Sequence, residues 1–493
     1  MASREPTVVT ASQWRAALQC ARRVWLHVHA PETAEQPDAE AARGGAIRGA
    51  IARRARERFP GAVAVGDAEP EARTRALLVA AAVPAIVDGV VSAGGARVRV
   101  DVLSRRSDGR VDLWAVRAAP AVRAEHLDDL ALQHHVLDAA GVDVAAAWVL
   151  HLDREQIRDA DEVPVGRLLR AVDVGEDVRA RAAAVPARLA TIRATRQGVQ
   201  PDVVPSPHCQ RPHRCPFWAH CTAAMPDDWI MRLPRLAANQ HAALHAAGVT
   251  RIGAIPGDWW LTGPQARARL ALRTGRVVTS PGLAAALAAA APPAGYLDFE
   301  TISPAVPLFP GTRPYDVVPF QWSLHREDAA GALAHAAFLA DGAGDPRPAF
   351  VASLLAATAG NEPILVYSGY EARVLDGLGA AFPADAAALA ALRARLVDLL
   401  EIVLAHVYHP AFAGSFSLKR TGPVLAPDVA WGDAGDVQGG LAASEAFLAL
   451  RAGAGDAARL RRDLLAYCAA DTRALVGLHR ALRALAGAPP SGG

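Results

Sequence analysis

Asp298 and Glu300 stand two residues apart in the apolar run AGYLDFETIS, residues 294–303. If that run is a strand, its period of two sets both carboxylates side by side on one face. One acid pair on a strand is commonplace, and other acids give this one its weight. Glu371 follows an apolar run in YSGYEARVL, at the start of an expected helix. Tyr467 and Asp471 in YCAADTRAL are four residues apart and share a helical face. Carboxylate oxygens suit hard divalent cations such as Mg²⁺ or Mn²⁺, and four acids from three segments suffice for two ions. Two ions about 3.5–4 Å apart are what phosphodiester hydrolysis uses, one activating water and one steadying the leaving oxygen. Asp398, which opens DLLEIVLAHVYHP, reads as a structural or supporting residue. Lys419 in GSFSLK is the only lysine in a chain that otherwise uses arginine. Its presence hints at a phosphate contact, a chance surface lysine being the plain alternative. His325, His406 and His409 receive no role.

Sulfur forms the second constellation. In HCQRPHRCPFWAHC, Cys209, Cys215 and Cys221 are separated by five residues each, within a proline-rich loop. Three of the chain's five cysteines so close together read as ligands of a metal or cluster. Cys20, or one of His208, His213 and His220, could complete the set, and spacing alone fits iron–sulfur and zinc equally. Cys468 lies inside a strongly helical pattern and reads as core.

The elements that would carry these groups follow from periodicity. In the first part, to about residue 222, ASQWRAALQCARRVWLHV and GAIRGAIARRARERF read as helices. ARVRVDVLSR and RVDLWAVRA read as a hairpin around the turn SDG. A helix HLDDLALQHHVLDAAG, a strand AAAWVLHLD and a long arginine-rich helix near 176–197 follow. Residues 223–290 change character, with LAANQHAALHAAGVTRIGAI and LTGPQARARLAL as two short helical pieces. An α/β unit then begins, with strands GYLDFET, PFQWSLH and PILVYS. Its helices are YEARVLDGLGAAF, a run from 384 to 407, and DAARLRRDLLAYCAADTRALVGLHRAL.

Bulk properties bound the reading. The 493 residues exceed one ordinary core, so two or three domains are expected. A net charge of +2 supplies no global field for nucleic acid, and any basic site must be local. The N-terminus MASREPTVVTASQW lacks the apolar segment of a signal peptide. LAAALAAAAPPAGYL is broken by two prolines, so neither a membrane span nor a membrane partner is expected. These features lead to a cytoplasmic expectation, in which the cysteines are ligands, catalysts or filler and not disulfides.

The cysteine pattern, together with the hairpin, resembles the iron–sulfur RecB-family nucleases over roughly residues 10–222. The resemblance implies a restriction-endonuclease-type α/β domain with a 4Fe–4S cluster on Cys20, Cys209, Cys215 and Cys221. Zinc is the alternative. It also implies an Asp on one strand, Glu-x-Lys on the next, and a helix with Gln and an aromatic. Asp101 matches the first acid and Gln133 the Gln. Ala115 stands in place of the Glu, Arg117 in place of the Lys, and Leu137 in place of the aromatic. Ala115 deletes a metal ligand and arginine cannot deprotonate, so this N-terminal site is expected to be degenerate.

The middle segment resembles one half of a helix–hairpin–helix element, whose Gly turn would present N–H groups to phosphates. A plain helical linker is equally compatible. The acid order from Asp298 to Asp471 is similar to the three motifs of the DEDD exonucleases, whose domain is RNase H-like α/β with a mixed sheet. The resemblance implies Asp298, Glu300, Glu371 and Asp471 as ligands of two Mg²⁺ or Mn²⁺ ions, with Tyr467 orienting the attacking water. Glu371 departs from the usual Asp.

YLDFET, YDVVPFQWSLH, DLLEIV…YHP…GSFSLK and YCAADT, in this order, resemble a bacterial family of unknown function that fuses the two kinds of domain. The expected organisation is a RecB-like domain at 1–222, a helical linker at 223–290 and a DEDD-type domain at 291–493. The expected function is a 3′ to 5′ exonuclease on DNA or RNA, the cluster domain gripping the strand. A catalytically inactive nucleic-acid-binding scaffold in repair or defence is the alternative. A cluster acting as a redox sensor is a third. Protein partners are not specified by the sequence.

Overall fold

The computed structural model describes residues 8–159, 163–429 and 437–487, so the first seven residues of the N-terminal stretch lie outside it. The chain is α/β and divides into two compact units, residues 1–224 with 304–315, and residues 225–303 with 316–493. Among the described residues no helix is long and apolar enough to cross a membrane.

The first unit is built on a seven-stranded sheet. Its main path runs Val63–Ala64, Ala85–Ala93, Ala96–Arg105, Val111–Arg117, Val144–Leu152, Leu169–Asp173, and Val9–Thr10 joins Ala96–Arg105. The expected hairpin is present, with Val102 opposite Trp114. Ala85–Ala93 escaped the periodicity reading because it does not alternate. Both of its faces are largely buried, so apolar residues occupy both, interrupted at Asp88, Gly89 and Ser92.

Two expected helices are each broken. The first is Ala11–Gln19 plus Ala21–His29, interrupted at Cys20, whose backbone is extended (φ −163°, ψ 129°). Gln19, just before the break, directs its Nε2 to the carbonyls of His208, Arg211 and His213 at 2.8–3.1 Å. The break therefore joins the helix to the cysteine loop. The arginine-rich helix is Gly175–Ala182 plus Val185–Gln197, with Pro186 in the first turn of the second piece, where a missing N–H is tolerated.

In the second unit a mixed five-stranded sheet comprises β1 (Ala294–Ile302), β2 (Val318–Glu327), β3 (Leu333–Leu339), β4 (Ile364–Val366) and β5 (Leu396–Asp398), in the order β3-β2-β1-β4-β5. Strands β1, β4 and β5 are parallel, while β2 is antiparallel to β1 and β3. One face of β1 sends Leu297 and Phe299 into a core with Phe350, Val351 and Leu354 of α1 (Arg347–Ala357). The opposite face meets the long C-terminal helix. Both faces of β1 are covered by helices, with Glu300 buried and Asp298 half-buried.

The remaining helices are α2 (Tyr370–Ala381), α3 (Ala386–Ala394), α4 (Leu399–His406), α5 (Leu418–Leu425), α6 (Gly440–Arg451) and α7 (Ala457–Gly487). The expected single helix from 384 to 407 is corrected to α3, β5 and α4. Leu396–Asp398 pairs in parallel with β4, and Asp398 caps α4 by accepting from the Leu400 N–H at 2.8 Å. Residues 225–290 are no free-standing linker. Ala268, Ala271, Leu283 and Leu287 share one core with Tyr296, Leu365, Val403 and Leu475.

A buried polar cluster fastens α7 to β1 in this core. The Tyr296 hydroxyl donates to Glu327 Oε2 at 2.6 Å and lies 2.8 Å from His479 Nδ1, while Arg480 Nε donates to Glu327 Oε1 at 2.8 Å. Removing one member strands the others. Tyr296→Phe is expected to destabilise the chain by about 1–3 kcal/mol in chemical denaturation, the usual cost of a buried group left without its partner. A loss below about 0.5 kcal/mol would mean the cluster is not a fastening.

Candidate metal centre

The pleat of β1 and the register of its neighbours set the site. Asp298 is opposite Ser323 and Glu300 opposite Gln321 on β2, with a bulge between Pro319 and Gln321 that accommodates the proline. Helix α7 packs over this face with Leu464, Tyr467, Cys468, Thr472 and Leu475 buried, a spacing of three and four residues. That spacing carries Tyr467, Cys468 and Asp471 to the two acids of β1.

Glu371 arrives from the far side of β1. Strand β4 runs parallel to β1, and the chain leaves it through Tyr367, Ser368 and Gly369 into α2, whose second residue is Glu371. Ser368 has φ of +99°, a strained conformation for a residue with a side chain. Asp398 Oδ1 holds it, accepting from the Ser368 N–H at 2.9 Å as well as from Leu400. The Asp398 read as structural in the sequence thus ties down the turn that aims Glu371. All these groups lie toward the carboxyl ends of parallel strands, where open α/β sheets place ligands.

The acids are near enough to affect one another. Burial, then the neighbouring Asp471 carboxylate, pushes Asp298 up to about 8. Glu300 is raised by burial and by Asp298, Asp471 and Glu371, with Lys419 pulling it down. Burial and Asp298 raise Glu371. Burial raises Asp471, which a hydrogen bond to Tyr467 and the charge of Lys419 partly offset. Tyr467 is in turn held protonated by its own burial and by Asp471 and Glu300. Glu371 is 3% exposed, and its Oε2 is buried with no hydrogen-bond partner. Asp298, Glu300, Glu371, Tyr467 and Asp471, singled out from the sequence, are brought together.

Lys419 joins them from the first turn of α5. Its Nζ lies 5.7 Å from the Tyr467 ring centroid. The Tyr367 hydroxyl anchors α5 by donating to the Phe416 carbonyl at 2.6 Å, with Thr421 Oγ1 at 2.9 Å. Gly439 and Gly440 close the site. Gly439 has φ of +143°, and a Cβ there would stand 3.6 Å from Lys419 Nζ; one on Gly440 would stand 3.7 Å from Glu300 Oε2.

Sequence reasoning missed Cys468, which it read as core. The residue is fully buried, but its Sγ is 3.5 Å from Asp298 Oδ2. Ligand atoms of Asp298, Glu300 and Cys468 all lie within 4.8 Å of one another, the one such group of three found among the described residues. The signal was its position one residue after Tyr467 and three before Asp471.

In the first unit, Cys20, Cys209, Cys215 and Cys221 line one cavity with Arg22, Arg23, Leu26, Phe217 and Trp218. Burial raises the thiols of Cys209, Cys215 and Cys221. Arg23 Nε is buried without a hydrogen-bond partner, placing an unsatisfied cationic donor beside four potential thiolates. That donor set fits an anionic thiolate-bound metal group.

The other N-terminal residues form a different picture. Asp101 accepts from the Val116 N–H at 2.8 Å and from Arg117 Nη1 at 2.6 Å, and Arg117 also reaches Asp129 at 3.7 Å. Ala115 is fully buried in the apolar core, and Gln133 Nε2 donates to the Arg99 carbonyl at 3.4 Å.

The raised carboxyls give a sign to the pH dependence of stability. Asp298 ordinarily titrates near 3.8 and is held to about 8, so in between the folded chain keeps a proton that the unfolded chain has released. Stability therefore falls as pH rises through this window. Burial lowers His325 and His479 to about 4, an opposite effect that ends once histidine is neutral in both states, above about pH 6.5. In chelator, the unfolding midpoint is expected to fall between about pH 6.5 and 8, and to fall less in Asp298→Asn. Equal slopes in the two proteins, measured by calorimetry, would contradict the placement of the charge.

A family model described as a domain of unknown function (DUF2779) matches residues 295–417. The match includes Asp298, Glu300, Glu371 and Asp398, and ends before Lys419, Tyr467 and Asp471. No curated protein matches the chain, and no solved structure matches it.

Proposed function

We propose that the chain is a metal-dependent nuclease that hydrolyses phosphodiester bonds of DNA or RNA at the acid cluster of the second unit. The observation that carries this reading is the pair Asp298 and Glu300 on β1, with Glu371 of α2 and Asp471 of α7 near enough for their charges to raise Glu300, and one carboxylate oxygen of Glu371 buried and unpartnered. Two Mg²⁺ or Mn²⁺ ions held by these carboxylates would supply a polarised phosphate and an activated water. Tyr467, whose protonated hydroxyl is hydrogen-bonded to Asp471, would orient the attacking water by accepting a hydrogen bond from it. Lys419 would balance the charge of the scissile phosphate. The mixed sheet agrees with an RNase H-like domain, and 3′ to 5′ polarity follows by resemblance to the DEDD enzymes.

The first unit is assigned to binding the strand. Its Asp101 is neutralised by Arg117, which favours an inactive RecB-like domain over a second hydrolytic site. Cys20, Cys209, Cys215 and Cys221 would hold a 4Fe–4S cluster. A tetrahedral zinc with bonds of about 2.3 Å would require sulfurs about 3.8 Å apart. Among the described residues no three of the four approach within 4.8 Å, which supports the larger group. Anaerobically purified protein is expected to be brown, with broad visible absorption from thiolate-bound iron. A colourless protein with stoichiometric zinc would replace the cluster by zinc.

The test of hydrolysis is digestion of 5′-labelled single strands with Mg²⁺ or Mn²⁺. Wild type is expected to shorten them, while Asp298→Ala and Asp471→Ala lose at least about 100-fold in rate, since each removes a metal ligand. Wild type and variants degrading equally little would leave the alternative, a nucleic-acid-binding scaffold.

A further inference from the structure

Cys468 takes no part in the chemistry above, yet its sulfur shares the acid face of β1. We propose that Asp298, Glu300 and Cys468 form a mixed oxygen–sulfur site that takes a thiophilic divalent cation of the Zn²⁺ or Cd²⁺ class. The proposal rests on reading the acid cluster as a cation site, and names the ion chemistry that one part of it favours. Three observations carry it. The three ligand atoms lie within 4.8 Å of one another. Sγ and Asp298 Oδ2 are 3.5 Å apart; with metal–sulfur and metal–oxygen bonds of about 2.3 and 2.1 Å, that separation closes at about 105°, close to tetrahedral. Glu371, whose charge interacts with Asp298, keeps a buried, unpartnered Oε2 that could serve as a further ligand.

The chemistry discriminates between ions. Mg²⁺ demands octahedral oxygen ligands and gains little from sulfur. A borderline-soft ion binds thiolate strongly and accepts four ligands, so two carboxylates and one sulfur nearly complete its shell. On binding, the Cys468 S–H bond and the O–H bonds of any protonated Asp298 and Glu300 carboxyls break heterolytically, the freed electron pairs form the metal–sulfur and metal–oxygen bonds, and the protons leave to solvent. No redox change occurs. Without the ion, the thiol donates to the Asp298 carboxylate. A thiophilic ion would thus occupy a ligand pair that the hydrolytic ions need, making the site sensitive to zinc.

The experiment titrates Cd²⁺ into the full-length protein, as purified with its other cysteine site filled, and follows ultraviolet thiolate-to-cadmium absorption. Wild type is compared with Cys468→Ser and Cys468→Ala, which leave the other four cysteines identical. The variants are expected to lack one thiolate's share of the band and to bind Cd²⁺ at least about 10-fold more weakly, with Mn²⁺ affinity by electron paramagnetic resonance within about threefold of wild type. Superimposable Cd²⁺ titrations of wild type and both variants would overturn the proposal, even if strands are degraded with Mn²⁺. The expected band difference in a protein that degrades no strand would uphold the cation site and remove the nuclease reading.

Discussion

Carboxylates gathered where water is thin cannot all ionise together without an opposite charge among them. Asp298, Glu300, Glu371 and Asp471 are in that position, and each is shifted upward, burial being the first cause and neighbours' charges adding to it in Asp298, Glu300 and Glu371. Protons can settle the arrangement, and so can cations. The surrounding structure reads as the scaffolding of this unfavourable grouping. Helix α7 is fastened to β1 by Tyr296, Glu327 and His479, and α2 is held by the Asp398 bonds to a strained turn. A site that repels itself has to be held from outside, and the holding groups are themselves buried and hydrogen-bonded.

The two units solve similar problems in opposite ways. In the first, Asp101 is answered within the chain, by an arginine 2.6 Å away and by a backbone N–H. Nothing further is required there. In the second, Lys419 pulls Glu300 and Asp471 down and Arg373 pulls Glu371 down, yet burial still leaves all four acids raised. The same residue type therefore has a complete partner set in one place and an incomplete one in the other.

Much of this was legible in the residues themselves. Asp-x-Glu on an apolar run fixes two side chains to one face because a strand has period two, and Tyr467 and Asp471 share a face because a helix has period 3.6. What stayed hidden depended on partners distant in sequence. Strand β5 is three residues long and exists because β4 lies beside it. Its neighbours Leu392 and Leu399 suit a helix just as well, so periodicity ran straight through it. The break at Cys20 is fixed by contacts of Gln19 nearly two hundred residues away. Cys468 looked like core because it is core, and only the register of α7 on β1 shows which polar atoms it touches.

The chain path carries one more consequence. Four residues after Glu300 the polypeptide departs from the second unit, and Pro304–Tyr315 belongs to the first, where Ala305, Val306 and Tyr315 enter the core with Trp114 and Leu150 and the Tyr315 hydroxyl donates to the Ala118 carbonyl at 2.6 Å. A ribosome that has finished residue 224 has not yet made the last piece of the first unit's interior. That interior is completed only after β1, with its acid pair, has already been synthesised, so neither half can be finished, or excised by a single cut, as an independent module.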